Sequence, residues 1–145
     1  ELGGPFQKAV GGPGGFTFMS GSELHLGPHV VVPDLAAWRR ERMPHMPAKA
    51  FVETAPDWVC EVLSPSTEAT DRRPKRRIYA TYGVGYLWHL DPVAKLLEVF
   101  VLRDKQWVLF EAFADGDEVK APPFDAVPFQ MTDLWPLPPA PETQA

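Results

Sequence analysis

The sequence contains little cysteine and no long apolar run. One cysteine in 145 residues excludes an intramolecular disulfide framework and fits a reducing compartment. No apolar stretch approaches the roughly 20 residues that a membrane-spanning helix requires, and the first residues lack a basic-then-apolar signal pattern. A nucleophile elbow, a Ser-x-x-Lys pattern and a phosphate-cradling loop are also missing from the sequence. We therefore expect a cytoplasmic protein without a membrane partner.

Positive charge is scarce, and its distribution is uneven. The net charge of -5 argues mildly against a nucleic-acid partner, because backbone binding depends largely on phosphate neutralisation. Residues 1–77 nevertheless hold 10 of the 14 basic residues, and nine of these ten form two clusters, at residues 39–49 and 72–77. Solvated surface charge is one interpretation, and nucleic-acid binding is the other. The candidate nucleic-acid-binding residues from these clusters are Arg39, Arg40, Arg72, Arg73 and Arg76.

Proline and glycine are abundant and disfavour long helices. The 17 prolines and 11 glycines concentrate at the two ends and in short connectors, which favours an α+β or β-rich fold. The length predicts one domain. We expect a flexible Gly/Pro-rich start at residues 1–15, a folded domain at residues 16–135 and a Pro-rich disordered tail at residues 136–145.

Alternating apolar segments predict a sheet with one principal helix. The helical pattern runs from about Thr67 to Tyr82 and ends at Gly83, which suits a left-handed C-cap. Because a proline in a helix interior costs about 3 kcal/mol, Pro74 favours a start at Arg73 instead. The predicted strands cover residues 16–19 and 23–26 as a hairpin, 30–38 through a proline, 58–63, 85–90, 96–102 and 107–113 as a second hairpin, and 124–127.

One predicted strand carries a charge at its centre. Residues 58–63 have the length and β-branched content of a buried strand, yet they include Glu61. An unpaired charge in a core costs several kcal/mol, so Glu61 must be solvated in a cleft, paired with a cation or bound to a metal. Cys60 is expected on the opposite face as a small buried hydrophobe. Each option for Glu61 makes it a site candidate.

Two further groups are expected near Glu61. Asp34 follows Pro33 at a strand irregularity, and Lys75 begins the helix that follows the central strand. Two carboxylates can hold Mg²⁺ or Mn²⁺, and an amine can orient an attacking water, which is the minimum equipment for phosphodiester hydrolysis. The alternative is a strand acid paired with a helix amine, plus an exposed turn aspartate. Asp71 and Tyr79 lie four residues to either side of Lys75 and are supporting candidates.

Other candidates are weaker. Gly27 and Pro28 prevent a helix between His25 and His29, which argues against a shared zinc site. The five tryptophans are expected mainly in the core. Among them, Trp38 and Trp107 are the two to test for stacking on nucleic-acid bases.

These motifs carry a resemblance. Pro33-Asp34, the segment Glu61 to Ser66, the helix with Asp71, Lys75 and Tyr79, and the segment Gly83 to Trp88 followed by Asp91-Pro92 resemble the Uma-two family of restriction-type endonucleases. That family lies within the PD-(D/E)xK nuclease superfamily. The resemblance runs from about Gly12 to Trp135, and the stretch from Pro56 to Pro92 is its specific part.

The resemblance implies a fold, an activity and a set of site residues. The fold would be a restriction-endonuclease-like mixed sheet with one principal helix, the upstream helices of the family being missing here. Asp34 and Glu61 would bind Mg²⁺ or Mn²⁺, and DNA would be the substrate. The superfamily lysine, two residues beyond the acid, is replaced by Leu63, so by position the family lysine is Lys75. A first helix of such nucleases often forms a dimer contact, which makes a homodimer an expectation.

Two other functions fit the same fold. One is a catalytically inactive scaffold or oligomerisation module. The other is a nucleic-acid-binding domain that does not cleave. Metal binding that depends on Asp34 distinguishes the nuclease from the scaffold, and DNA binding that persists in chelator identifies the non-cleaving domain.

Overall fold

A computed structural model describes residues 15–64 and 68–134, with the side chains of residues 68–72 left aside. The described elements are eleven strands, one α-helix and one 3₁₀ helix. Their bounds are β1 Phe16–Ser20, β2 Glu23–Leu26, β3 His29–Val31, β4 Leu35–Arg39, β5 Phe51–Val52, β6 Trp58–Val62, α1 Glu68–Thr81, β7 Tyr86–Asp91, β8 Leu96–Arg103, β9 Gln106–Ala114, β10 Glu118–Val119, β11 Phe129–Gln130 and a 3₁₀ helix at Met131–Leu134.

The main sheet is mixed and has six strands in the order β1-β4-β6-β7-β8-β9. Strands β6 and β7 are parallel, and the other neighbours are antiparallel. Parallel neighbours need a crossover connection, and α1 lies between these two strands in sequence. The end of β6 and the helix that follows it are thereby fixed at the centre of the sheet.

The predicted hairpin between residues 16–19 and 23–26 is wrong. Strand β1 pairs with β4, whereas β2 pairs with β3 and β5 in a separate three-stranded sheet. The register opposes Leu26 and His29, so Gly27 and Pro28 form the two-residue loop of a hairpin between β2 and β3. Gly27 has a φ of 60°, and a Cβ there would lie 1.9 Å from the Tyr82 hydroxyl oxygen. Position 27 therefore requires glycine for two reasons: the left-handed backbone conformation, and the lack of room for a Cβ beside Tyr82.

Helix α1 keeps the first predicted boundary and not the revised one. It spans Glu68–Thr81 with Pro74 inside, rather than starting at Arg73. Proline removes one backbone hydrogen bond, and the burial of Tyr79 and Ala80 against the sheet offsets that loss. Gly83 follows with a φ of 77°, as the predicted left-handed C-cap requires.

Two apolar clusters cover the two faces of the main sheet. One face carries Trp58, Cys60 and Trp88, with Phe124 from the C-terminal region packed edge-on against both tryptophans. The other face carries Val59 and Leu87, covered by Tyr79 of α1 and by apolar residues of the small sheet. Side chains alternate along β6, so Glu61 shares the helix-covered face with Val59.

The C-terminal region differs from its prediction. Residues 124–127 form turns and not a strand, since the Phe124 amide donates to the Ala121 carbonyl and the Val127 amide to the Phe124 carbonyl. The last strand is instead β11, which pairs with β10. Most of the predicted flexible start and the whole predicted tail lie outside the described residues. The α+β class is confirmed by the mixed sheet and its one α-helix in the described part. No helix there is long and apolar enough to cross a membrane.

Candidate active site

Glu61 is a buried carboxylate near the carboxyl end of β6. It is 8% exposed, and one of its oxygens, Oε2, accepts a hydrogen bond of 2.6 Å from the Tyr79 hydroxyl. Its other oxygen, Oε1, lies 3.5 Å from the Lys75 amine. Both partners come from α1 and are four residues apart, which places them on one face of the helix. The predicted contact between a strand acid and a helix amine is present.

Lys75 is tied to a second element. Its amine donates a hydrogen bond of 3.0 Å to the carbonyl of Val32, in the connection between β3 and β4. The Lys75 side chain is 18% exposed, so its charge is partly shielded from water. Two contacts from different directions restrict the position of the amine beside Glu61. The Val32 carbonyl has no sequence signal, because any residue type could provide it.

Asp34 lies across from the end of β6. Its Oδ2 accepts a hydrogen bond of 2.6 Å from the Val62 amide, while the residue itself is exposed. The chain changes from the small sheet to the main sheet at Pro33 and Asp34, which explains the irregularity predicted there. Asp34 thus forms the solvent-facing side of the site, and Glu61 forms its buried side.

The electrostatics of Glu61 are unusual for a carboxyl group. Burial raises the pKa of Glu61 from 4.5 to about 7. The Tyr79 hydrogen bond, the Lys75 charge and a backbone hydrogen bond from Asp34 each lower this pKa, while the Asp34 carboxylate raises it. Burial outweighs the stabilising partners, so Glu61 changes its charge near neutral pH. Carboxyl groups perturbed in this way are frequent at functional sites.

Cys60 lies on the other face of the same strand. It is 3% exposed and packs in the tryptophan-rich cluster, as predicted. Burial raises the pKa of the Cys60 thiol well above its usual value, and the nearby Glu61 and Asp34 charges raise it further. The thiol is therefore a packing group and not a nucleophile.

Several predicted nucleic-acid residues lie elsewhere. Arg39 is the last residue of β4, about 17 Å from Asp34 at the usual rise per strand residue, and Arg40 follows it. The Arg39 guanidinium lies 5.0 Å from the centroid of the Phe16 ring, and that of Arg76 lies 4.9 Å from the Phe100 centroid. Arg73 is exposed on α1. The side chains of Arg72 and Asp71 lie outside the described ones.

Stacking by Trp38 is excluded. Trp38 is fully buried, and its indole donates to the Thr54 carbonyl at 2.9 Å. Trp107 is half-buried and donates to the Arg76 carbonyl at 2.9 Å, which ties α1 to β9. The large area of tryptophan explains why both rings serve packing.

Sequence reasoning missed His89 as a neighbour of the site. It lies in β7 in direct register with Glu61 and is 1% exposed, with its ring edge-on to Phe100 at 5.3 Å. The parallel pairing of β6 and β7 was the missing information, because strand neighbours cannot be assigned from one sequence. The sequence signal that could have indicated His89 is its polar side chain within the otherwise apolar run 86–90.

The donor set fits a hard divalent cation. Among the described side chains, those of residues 15–64 and 73–134, no three from His, Cys, Asp or Glu are grouped to hold an ion. Mg²⁺ and Mn²⁺ accept oxygen donors, and Mg²⁺ commonly uses one or two carboxylates with water completing the coordination. Asp34 and Glu61 interact electrostatically, and Oδ1 of Asp34 is not used by the Val62 hydrogen bond. Two carboxylates therefore suit Mg²⁺ better than zinc.

The sheet order, the βαβ unit and the helix beside Glu61 together define a restriction-endonuclease-like α+β fold. The chain belongs to the Uma2 family, described as "Putative restriction endonuclease", which matches residues 2–132. It is also similar to a crystal structure described as "a putative nuclease belonging to DUF820 from Anabaena variabilis ATCC 29413". That chain is 21% identical, with a TM-score of 0.71 over 88% of this chain and 72% of the other. No curated protein matches this chain. The predicted family is confirmed, and the roles of individual residues stay predictions.

Proposed function

We propose that this protein is a metal-dependent endonuclease that hydrolyses phosphodiester bonds of DNA. The observation that carries the proposal is the position of the buried Glu61 carboxylate. It receives a hydrogen bond from Tyr79 at 2.6 Å, has the Lys75 amine at 3.5 Å and interacts with the charge of Asp34. The Asp34 charge beside this ion pair supplies the second carboxylate that a hard divalent cation commonly uses.

Each residue has a chemical role in this proposal. Asp34 and Glu61 hold Mg²⁺ or Mn²⁺, which when bound stabilises negative charge on the phosphate. Lys75 orients the water that forms the new P–O bond as the bond to the leaving oxygen breaks, and its contact with the Val32 carbonyl keeps the amine in place. Tyr79 fixes the orientation of Glu61 through its hydroxyl. Asp71 shares the helix with Lys75 and would support it.

DNA as substrate is supported by the family description, which names a restriction endonuclease. The similar crystal structure is described as a nuclease. The chain as a whole is acidic, so we expect weak and strongly salt-dependent binding of the DNA backbone. Arg73 is an exposed cationic side chain on α1 that would contribute to this binding, and Arg72 precedes it in the sequence.

Cleavage of supercoiled plasmid with Mg²⁺ or Mn²⁺ tests the proposal. The matched pair of variants is Glu61→Gln and Glu53→Gln, since Glu53 also lies beside a lysine, Lys49, at 3.2 Å but on an exposed surface. We expect Glu61→Gln to abolish cleavage and Glu53→Gln to retain it. Circular dichroism in chelator-treated buffer must show that both variants are as well folded as the wild type.

Plasmid cleavage, measured together with metal binding and plasmid binding, also distinguishes the alternative functions. Full cleavage by Glu61→Gln would overturn the assignment of the site. Absence of cleavage by the wild type, together with no metal binding, would favour the silent scaffold. Plasmid binding that persists in chelator without cleavage would favour the non-cleaving domain.

A further inference from the structure

A cavity of about 430 Å³ lies on the face of the main sheet away from Glu61. Tyr86, in its lining, is in register with Trp58 on one side and with Val101 on the other. Since residues in register share a face, Tyr86 lies on the tryptophan-rich face, whereas Glu61 lies on the helix-covered face. The volume falls within the range of about 300–1,000 Å³ that is typical of small-molecule sites.

The cavity has two aromatic walls. Tyr86 is half-buried in β7, and Phe110 of β9 is 51% exposed. Phe110 is the extra residue of a β-bulge, because Val99 pairs with Glu111 while the next residue, Phe100, pairs with Leu109. A bulge re-aims a side chain, and here an apolar ring lines an open cavity rather than the core. Exposed aromatic rings of this kind stack on planar ligands.

Two cations line the same cavity. Arg103 is two residues beyond Val101 on β8 and so shares its face, and Lys120 stands between the buried residues Val119 and Ala121. Both are exposed, and neither forms an ion pair with another described residue. In a chain of net charge -5, this pairing supplies a local positive potential that suits a phosphate group.

Asp125 completes the polar lining. A carboxylate repels phosphate and accepts hydrogen bonds from N–H groups, such as the amino group of a nucleobase. The wall at Pro122 is fixed to the core, because its carbonyl accepts a hydrogen bond of 3.0 Å from the Trp88 indole. An inorganic anion would leave the rings and the carboxylate unused, and an aliphatic ligand would leave the cations unused.

We propose that this cavity binds a nucleotide, with its base against Tyr86 and Phe110, its phosphate on Arg103 and Lys120, and a base amino group on Asp125. The ligand is either a free mononucleotide or one nucleotide of a strand, since both present the same groups. The site lies across the sheet from Glu61, so binding there does not depend on cleavage.

Calorimetric titration in chelator tests the proposal with four probes: AMP, GMP, inorganic phosphate and a 5′-phosphorylated single-stranded oligonucleotide. Phe110→Ala is matched by Leu109→Ala, because Leu109 is 50% exposed but pairs with Phe100 on the other face. The double variant Arg103→Gln/Lys120→Gln has Arg77→Gln as its control, because Arg77 is an exposed cation on α1, away from the cavity lining. We expect the two cavity variants to weaken nucleotide binding about tenfold or more, and the control variants to leave it unchanged.

Each outcome decides a separate point. Binding of AMP or GMP alone identifies a free nucleotide, and equal or tighter binding of the oligonucleotide identifies a strand. The proposal is overturned if folded protein binds none of the nucleotides. It is equally overturned if inorganic phosphate binds as tightly as the nucleotides, or if the cavity variants bind them like the wild type. A failure here with intact plasmid cleavage leaves the Glu61 site unaffected.

Discussion

The Tyr79 hydroxyl donates a 2.6 Å hydrogen bond to a carboxylate oxygen of Glu61, and both residues are buried. This contact joins α1 to β6 beside the Lys75 amine. The pKa of Glu61 is nevertheless raised to about 7, because burial outweighs the hydrogen bond. Ionised Glu61 therefore lowers the stability of the metal-free protein, and the pH dependence of unfolding measures this effect.

Removal of the Tyr79 hydroxyl should destabilise the fold and raise the pKa of Glu61 further. Tyr79→Phe leaves the Glu61 oxygen without its donor, so we expect a loss of about 1–3 kcal/mol in the free energy of unfolding. Urea denaturation measures the loss. Tyr82→Phe is the control, since the Tyr82 hydroxyl forms no hydrogen bond with the described residues. Equal effects of the two substitutions would contradict the special role of the Tyr79 contact.

The stability of the metal-free protein should fall as pH rises from about 4.5 to about 7. The folded state holds the Glu61 proton more tightly than the unfolded chain, because the folded pKa is raised. Stability from this group is complete below the unfolded pKa and is lost through the folded pKa, with a total on the order of 3 kcal/mol. Urea denaturation of wild type and Glu61→Gln at several pH values isolates this contribution. A constant difference between the two proteins across that range would refute the raised pKa.

Lys75→Met should reduce cleavage while metal binding persists. Its amine is held by Glu61 and the Val32 carbonyl and is expected to position water rather than to bind the ion. We expect cleavage to fall about 100-fold or more, with Mn²⁺ affinity near that of the wild type above about pH 8. Lys49→Met, at an exposed ion pair, is the matched control. Loss of both metal binding and cleavage would instead show that Lys75 organises the carboxylates.

Asp34→Asn should weaken Mn²⁺ binding about tenfold or more with the fold intact. The asparagine side-chain carbonyl can still accept a hydrogen bond from the Val62 amide, so the substitution removes the charge and keeps the hydrogen bond. Calorimetry across pH should also show that wild-type affinity drops below about pH 7, where Glu61 takes up a proton. Unchanged affinity in the variant would favour the silent scaffold.

Much of the site could be predicted because its signals are local. A carboxylate inside an apolar strand needs a partner, and Lys75 and Tyr79 at helical spacing provide two. The pairing partners of strands were harder to predict, since they depend on contacts far apart in the sequence. The hairpin of β2 with β3, the register of His89 with Glu61, and the pairing of β11, the last described strand, with β10 are visible only in the structure.

The start of α1 shows a different limit. Propensity alone argues against Pro74 in a helix interior, and the revised start at Arg73 followed from it. Packing of Tyr79 and Ala80 on the sheet outweighs that local cost. Propensity is thus a weak guide where one face of a helix is buried.

The lone thiol of the chain gives the protein a built-in reporter. Cys60 is buried in the tryptophan-rich cluster and precedes Glu61 in β6. A maleimide dye can therefore react with its thiol only when the centre of the sheet opens. The rate of dye incorporation therefore follows the opening of the strand that carries the acid. Substrate or ion that stabilises this strand would slow the incorporation, without any engineered label.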